Sequence, residues 1–141
     1  MGMSSKERQI AYAALIFKAK KALDIVRHET EVKMKDFMRQ KFYYHKAIDL
    51  YKKALMHAST DMEKARVHLY MGDGFIQLGG VQFESEVRAK YLARAFKQYA
   101  LSVQLAPPHH FDKEIARESD RIHKFLLFKI NDRTDDLEVI Q

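Results

Sequence analysis

The sequence predicts an all-α domain of five helices, and three observations lead to that class. Neither proline nor glycine occurs between Lys6 and Met71. Apolar residues in that stretch recur every three or four positions, which is the period of one face of a helix. The only prolines stand together at Pro107 and Pro108, where a long helix has to end because neither residue can donate to a continuing helix.

The first two predicted helices share the stretch without helix breakers, and the charged segment from Arg27 to Lys35 contains the turn between them. Each helix has one apolar face that we expect to be buried. On the first helix this face consists of Ala11, Leu15, Ala19, Ala22 and Val26. On the second helix it consists of Phe37, Tyr44, Ile48, Tyr51, Leu55 and Ala58.

The third helix has a recognisable beginning and end. Ser59-Thr60-Asp61 supplies N-cap residues, Glu63 follows at the position that favours a helix start, and Gly79-Gly80 is a stop signal. The residues expected to face inward are Ala65, Leu69, Gly72 and Ile76.

The fourth helix is predicted from about Phe83 to Leu105, and a fifth opens at Phe111 or Asp112 and continues to about residue 130. The inward face of the fourth helix carries Val87, Tyr91, Ala95, Tyr99 and Ser102. No low-complexity linker divides the chain. We therefore expect one domain over residues 1–131 and an acidic, flexible tail over residues 132–141.

Composition excludes several classes of function. The chain of 141 residues has no cysteine, which excludes disulfide frameworks, zinc–thiolate sites and thiol catalysis. Its seven histidines form no spaced pair of the metalloprotease kind, so we expect no metal and no cofactor. No apolar run is long enough for a membrane span, and no signal peptide is evident. A soluble cytoplasmic protein is the expectation.

Two segments, residues 47–55 and 95–107, share one pattern. Each has an alanine, a tyrosine four positions later and a small residue three positions after that, and the second segment adds Pro107. Upstream, Met71-Gly72-Asp73-Gly74-Phe75 places a glycine where two helices would approach closely. These patterns resemble the helices of the tetratricopeptide repeat family, in which small residues allow close packing and the aromatic residue fills the space between neighbouring hairpins.

The resemblance implies a right-handed stack of about two antiparallel helical hairpins with a C-terminal capping helix. It extends over residues 44–55 and 67–107 and departs from the family in spacing. Gly72 and Ala95 are 23 residues apart, about three helical turns more than a 34-residue repeat allows. Gly72 itself is costly in a helix interior, so we expect another residue to pack against it.

Family members bind peptides in a groove lined by the first helices of their hairpins, and this implies an adaptor or scaffold that binds a peptide or helix of a partner protein. Mapped from Gly72, the groove positions are Arg66, Leu69, Asp73, Ile76 and Gln77. Asp73 stands where the family's clamp for a C-terminal carboxylate has asparagine, so that mode of recognition is not expected. Alternatively, Leu69 and Ile76 simply pack against the first helix.

A basic surface is the second candidate site. From Lys18 to Lys53 there are eleven Lys or Arg residues against five Asp or Glu, an excess equal to the +6 of the whole chain. Interleaved with aromatic residues, these cations suit phosphate contact and base stacking, so nucleic-acid binding is an alternative function. The candidate residues are Lys33, Lys35, Arg39, Lys41 and Lys46.

Residues 44–55 also resemble part of the microtubule-interacting-and-trafficking domain, a peptide-binding three-helix bundle that leaves residues 72–107 unexplained. Arg117 and His123 resemble the pair of helical nucleases of the HEPN group, but six residues put them about 120° apart around a helix. We therefore expect no enzymatic activity. Excess apolar side chains, among them Phe96, Phe125 and Phe128, suit a core or a homo-oligomer surface.

Overall fold

The structure is a computed structural model that describes residues 2–31 and 37–106, with the side chains of residues 29–31 left aside. These residues form four helices: α1 (Ser5–Glu31), α2 (Phe37–His57), α3 (Asp61–Gly80) and α4 (Ser85–Leu105). Within the described ranges there is no strand, and the all-α class is confirmed there. The predicted fifth helix, Pro107 and Pro108, and the tail over residues 132–141 lie outside them.

The helices alternate in direction, which follows from the order of the contacts between them. Along α3 from Ala65 to Gly79, the contacting residues of α4 descend from Ser102 to Leu92. Contacts between α2 and α3 descend in the same way, and α3 therefore runs antiparallel to both of its neighbours.

α1 and α3 run in the same direction, since their cross-contacts rise together along both helices. The Tyr12 hydroxyl donates to the backbone carbonyl of Glu63 at 3.4 Å, and Lys20 Nζ lies 3.4 Å from the Tyr70 hydroxyl. Each helix packs chiefly against the next one in the chain. One side of the molecule consequently presents α1 and α3 next to each other.

The start of α3 forms as its sequence predicts. Thr60 is the N-cap residue, and its Oγ1 accepts from the backbone N–H of Glu63 at 3.1 Å. The Glu63 carboxylate accepts in return from the backbone N–H groups of Ser59 and Thr60, at 3.1 and 3.2 Å. This reciprocal capping box satisfies backbone donors that the first helical turn leaves unpaired.

Small residues set the distance between α3 and α4. A Cβ at Gly72 would lie 2.7–2.9 Å from three ring atoms of Tyr99, closer than side chains normally approach. The prediction that another residue packs against Gly72 is thus confirmed, and that residue is the aromatic of the repeated pattern. Deeper in the same interface, the Ser102 hydroxyl donates to the Ala65 carbonyl at 2.7 Å.

The helix bounds refine two of the sequence predictions, the segment between the first two helices and the long spacing between Gly72 and Ala95. α1 continues to Glu31, so the first part of the charged segment that was predicted to contain the turn is helical. The 23 residues between Gly72 and Ala95 belong to the second half of α3, a short connection over residues 81–84, and the first half of α4. The departure from the family's spacing therefore comes from longer helices and not from a long loop.

Candidate functional site

The five predicted groove residues lie in different environments. Arg66 and Gln77 are exposed, Asp73 and Ile76 are half-buried, and Leu69 is only 4 % exposed. Leu69 belongs to the hydrophobic core, so its side chain is not available to a partner. This agrees with the alternative that Leu69 packs internally, and Ile76 also packs against that core.

Asp73 and Gln77 do come together, on the side of the molecule where α1 and α3 lie next to each other. They line a pocket of about 360 Å³, which we call the α1–α3 pocket. Such a volume lies within the range of roughly 300–1,000 Å³ that is usual for ligand sites. The remaining lining residues are Lys20, Leu23, Asp24 and Arg27 of α1, Tyr51 of α2 and Tyr70 of α3.

Tyr51 and Tyr70 form the aromatic wall of the pocket. Their ring centroids are 5.5 Å apart and the planes are tilted by 36°. The Lys20 ammonium lies 4.6 Å from the centroid of the Tyr70 ring, a distance at which a cation is attracted to the face of an aromatic ring. The pocket thus already holds one cation of its own chain at its edge.

Tyr51 is the most buried of the residues that line the pocket. The residue is 2 % exposed, and it belongs to the hydrophobic core. Burial raises the pKa of Tyr51, and Tyr70, Asp73 and Asp24 raise that pKa further through their charges. The phenol therefore stays protonated at neutral pH.

Asp73 is held in place from α4. The Tyr99 hydroxyl donates to Asp73 Oδ1, and the contact is made possible by the absence of a side chain at Gly72. A residue of the repeat pattern on α4 thus fixes a carboxylate in the pocket between α1 and α3. Asp24, in contrast, is exposed on α1 and forms no hydrogen bond or ion pair with the described residues.

Sequence reasoning placed no residue of α1 in the site. Lys20, Leu23, Asp24 and Arg27 recur at spacings of three, one and three, on the face adjoining the buried alanines of the same helix. That spacing was a usable signal. The parallel course of α1 and α3 could not be predicted from the sequence, because it depends on contacts between residues about 50 positions apart in the chain.

The predicted basic surface is only partly described, since Lys33 and Lys35 lie outside the described residues. Of the others, Arg39 and Lys46 share one face of α2, and Lys41 lies about 200° around the helix from Arg39. The Arg39 guanidinium is 5.7 Å from the ring of Tyr43, and the Lys41 ammonium is 5.6 Å from the ring of Phe83. The described cations of this set therefore face different surroundings.

Arg39 also lines a second pocket, of about 420 Å³, at the C-terminal end of α1. The wall of this pocket is chiefly apolar, although most of its lining residues are charged or titratable: Lys21, Asp24, Ile25, His28 and Arg39. Asp24 is common to both pockets. Of the two pockets, only the α1–α3 pocket contains residues of the predicted groove.

Neither a metal site nor a membrane span is present in the described part of the chain. No group of three His, Cys, Asp or Glu side chains is arranged to hold a metal ion there. None of the four helices is long and apolar enough to cross a membrane. Arg117 and His123 lie outside the described residues, as do Phe125 and Phe128, whereas Phe96 is 47 % exposed on α4.

Comparison of the chain with protein-family models, with curated proteins and with solved structures finds no match.

Proposed function

We propose that the protein is an adaptor of the tetratricopeptide-like kind, which binds a peptide or a helix of a partner protein in the groove between α1 and α3. The observation that carries the proposal is the α1–α3 pocket, which two of the five groove residues inferred from the repeat pattern line. In a stack of antiparallel hairpins, the first helices of successive hairpins share one face. The parallel course of α1 and α3 supports that arrangement.

The close α3–α4 contact is the second support. Gly72, Tyr99 and Ser102 are positions of the repeat pattern, and each makes an intimate contact across this interface. The alternative three-helix module gives no account of α4, which packs along α3 through these residues. We therefore rank the repeat-like adaptor above it.

A binding module of this kind needs no cofactor and no catalytic residue. The pocket combines exposed side chains of both charges with two tyrosine rings, a composition suited to a polar peptide segment and not to an apolar small molecule. We place its action in the cytoplasm, on the composition of the chain alone.

The proposal is tested by blocking the groove with a bulky side chain. Gln77→Trp fills the groove from an exposed position, and Gln104→Trp places the same side chain at an exposed position of α4 as the matched control. Each immobilised protein is incubated with cell lysate at low and at high salt, and retained proteins and nucleic acids are quantified. We expect a discrete protein that the wild type and Gln104→Trp retain at both salt concentrations and Gln77→Trp loses.

Two outcomes would count against the groove. Equal retention by Gln77→Trp and Gln104→Trp would place the partner on another surface. Nucleic acid that is retained at low salt and released at high salt, with no discrete protein, would favour the basic residues of α2, because phosphate contacts weaken steeply with salt.

A further inference from the structure

We propose that the solvent side of α1 docks onto an anionic membrane surface, with Ile10 and Phe17 entering the interface and the surrounding lysines contacting the lipid headgroups. This inference goes beyond the proposed function, since it concerns a side of α1 other than the one that lines the α1–α3 pocket.

Helix α1 carries an apolar pattern on its solvent side as well as on its buried side. Ile10, Ala13, Ala14 and Phe17 recur at positions i, i+3, i+4 and i+7, and all four are exposed. We call these four residues the α1 outer face. Ala19, which is fully buried, lies about 180° around the helix from Ile10. The core of the domain therefore does not account for the apolar character of the α1 outer face.

The two large side chains of this face reach well into solvent. Ile10 and Phe17 are each 61 % exposed, and neither lines the two pockets described above. Protein interfaces usually centre on an anchor side chain that fills a pocket. A membrane surface, in contrast, accepts a protruding apolar helix face into the boundary between headgroups and acyl chains.

Cations surround the α1 outer face. Exposed lysines stand one turn before the face, beside it and one turn after it: Lys6, Lys18 and Lys21. The Lys21 ammonium lies 5.0 Å from the centroid of the Phe17 ring, so a positive charge sits directly beside the largest apolar side chain. An apolar helix face bordered by lysines is the arrangement with which surface helices bind anionic lipid.

The balance of charge favours an anionic partner over a second copy of the chain. Residues 5–28 of α1 carry six Lys or Arg and two Asp or Glu, and the whole chain has a net charge of +6. Two copies paired through this face would bring like charges together. Nucleic acid matches the charge but takes aromatic rings by stacking, and three of the four residues of the α1 outer face are aliphatic. Anionic lipid matches both the cations and the aliphatic side chains.

The first test uses fluorescence, because the chain has no tryptophan and Phe17→Trp introduces a single fluorophore at the proposed interface. Phe96→Trp, in place of an exposed phenylalanine on α4, is the matched control. Each full chain is titrated with vesicles of phosphatidylcholine alone and of phosphatidylcholine and phosphatidylserine in equal parts. We expect the emission of Phe17→Trp to shift to shorter wavelength with the anionic vesicles only, and that of Phe96→Trp to stay unchanged.

Vesicle sedimentation then measures the contribution of the apolar side chains. We expect the double variant Ile10→Ser with Phe17→Ser to bind the anionic vesicles about tenfold or more weakly, because the apolar area no longer leaves water. Both positions are exposed, so the far-ultraviolet circular dichroism of the domain should not change. Gln77→Trp, which blocks the groove, should bind the vesicles as the wild type does.

The contribution of charge is measured in the same way. We expect Lys18→Gln with Lys21→Gln to weaken binding to the anionic vesicles about tenfold or more. Lys52→Gln with Lys53→Gln removes the same charge from exposed positions of α2 and should have a much smaller effect. Equal losses in the two double variants would show attraction by net charge alone and would overturn the assignment to α1.

The other failures are distinguishable. Sedimentation with anionic vesicles without a shift of the Phe17→Trp emission would show adsorption without insertion and overturn the inference. Absence of vesicle binding would also overturn it, whether the face then bound RNA through its lysines or joined two copies in a dimer that Phe17→Ser separates. Neither result would bear on the groove, because the groove is tested separately by Gln77→Trp in the lysate experiment.

Discussion

Gly72 shows how one residue can serve both the packing of the domain and its candidate site. Its missing side chain admits the Tyr99 ring, whose hydroxyl then reaches Asp73 on the next position of α3. The glycine costs about 1 kcal/mol relative to alanine in a helix interior, and the close approach of α4 compensates for that cost. The position of a pocket carboxylate thus depends on the absence of a methyl group at the neighbouring residue.

Gly72→Ala should lower the free energy of unfolding. The new Cβ would lie within 2.9 Å of three atoms of the Tyr99 ring, and overpacking of this kind costs about 1–3 kcal/mol, more than helix propensity returns. Urea denaturation would measure the change. Gly80→Ala is the matched control, since no atom lies near a Cβ there, and we expect it to be neutral or slightly stabilising. Equal stability of the two variants would show that Tyr99 moves aside freely.

Tyr51 should make stability depend on pH in the alkaline range. Because burial and nearby carboxylates raise its pKa in the folded protein, the unfolded chain loses the phenol proton first as the pH rises above about 10. The free energy of unfolding should therefore fall above that pH, and Tyr51→Phe should reduce the fall. Urea titrations near pH 8 and near pH 11 would measure it, and the same decline in both proteins would contradict the prediction.

At the scale of the helix, α3 is the element whose limits are written most clearly in the sequence. Its capping box uses the side chains of Thr60 and Glu63, so both halves of the device lie within four consecutive residues. At its other end, the Gln82 side-chain amide donates to the Leu78 carbonyl at 3.1 Å, which satisfies an acceptor of the last turn. The limits of α3 thus depend on interactions between residues close together in the chain.

Thr60→Ala should destabilise the domain by about 0.5–2 kcal/mol, because the Glu63 backbone N–H would lose its acceptor. Thermal or urea denaturation followed by far-ultraviolet circular dichroism would measure this loss. Ser59→Ala, one residue earlier, leaves the capping box intact because Ser59 contributes its backbone N–H. A loss as large in Ser59→Ala as in Thr60→Ala would contradict the role assigned to the cap.

For the molecule as a whole, the arrangement of the four helices rests on the α2–α3 contact that joins the two antiparallel pairs. At this interface Ile48 approaches Gly74 so closely that a Cβ there would lie 3.0 Å from Ile48 Cγ1. The α3–α4 pair has additional hydrogen bonds of its own, including His68 Nδ1 to Gln98 Oε1 at 2.7 Å. The contact between α3 and α4 is therefore stabilised by hydrogen bonds that do not involve α1 or α2.

Gly74→Val should weaken the α2–α3 contact and make α1 and α2 less protected than α3 and α4. The two branched carbons of valine would displace Ile48, at a cost of about 1–3 kcal/mol, and the bonds within α3–α4 would remain. Amide hydrogen exchange, resolved by helix, would measure the difference, with Gly80→Val as the control. An equal loss of protection in all four helices would show that the domain opens as a single unit.

Much of the local structure was predictable from the sequence because it depends on neighbouring residues. The third helix begins and ends at the predicted residues, since capping side chains and terminal glycines act within a turn or two. The inward positions of the helices were predictable for the same reason, as in Ala19 and Tyr51, because the helical period places them on one face. Gly72 was identified as a contact point from its place in the repeat pattern and from its unfavourable helix propensity.

The pocket itself was decided by the tertiary structure. The sequence placed Asp73 and Gln77 on a groove face and Leu69 among the inward residues of the third helix, but it gave no means of knowing that Asp24 of α1 would line the same pocket. Helical periodicity determines which residues share a face of one helix, whereas the neighbour of that face depends on packing between distant segments. α1 and α3 come to lie side by side only when α2 packs against both of them and the four helices bury their apolar faces together.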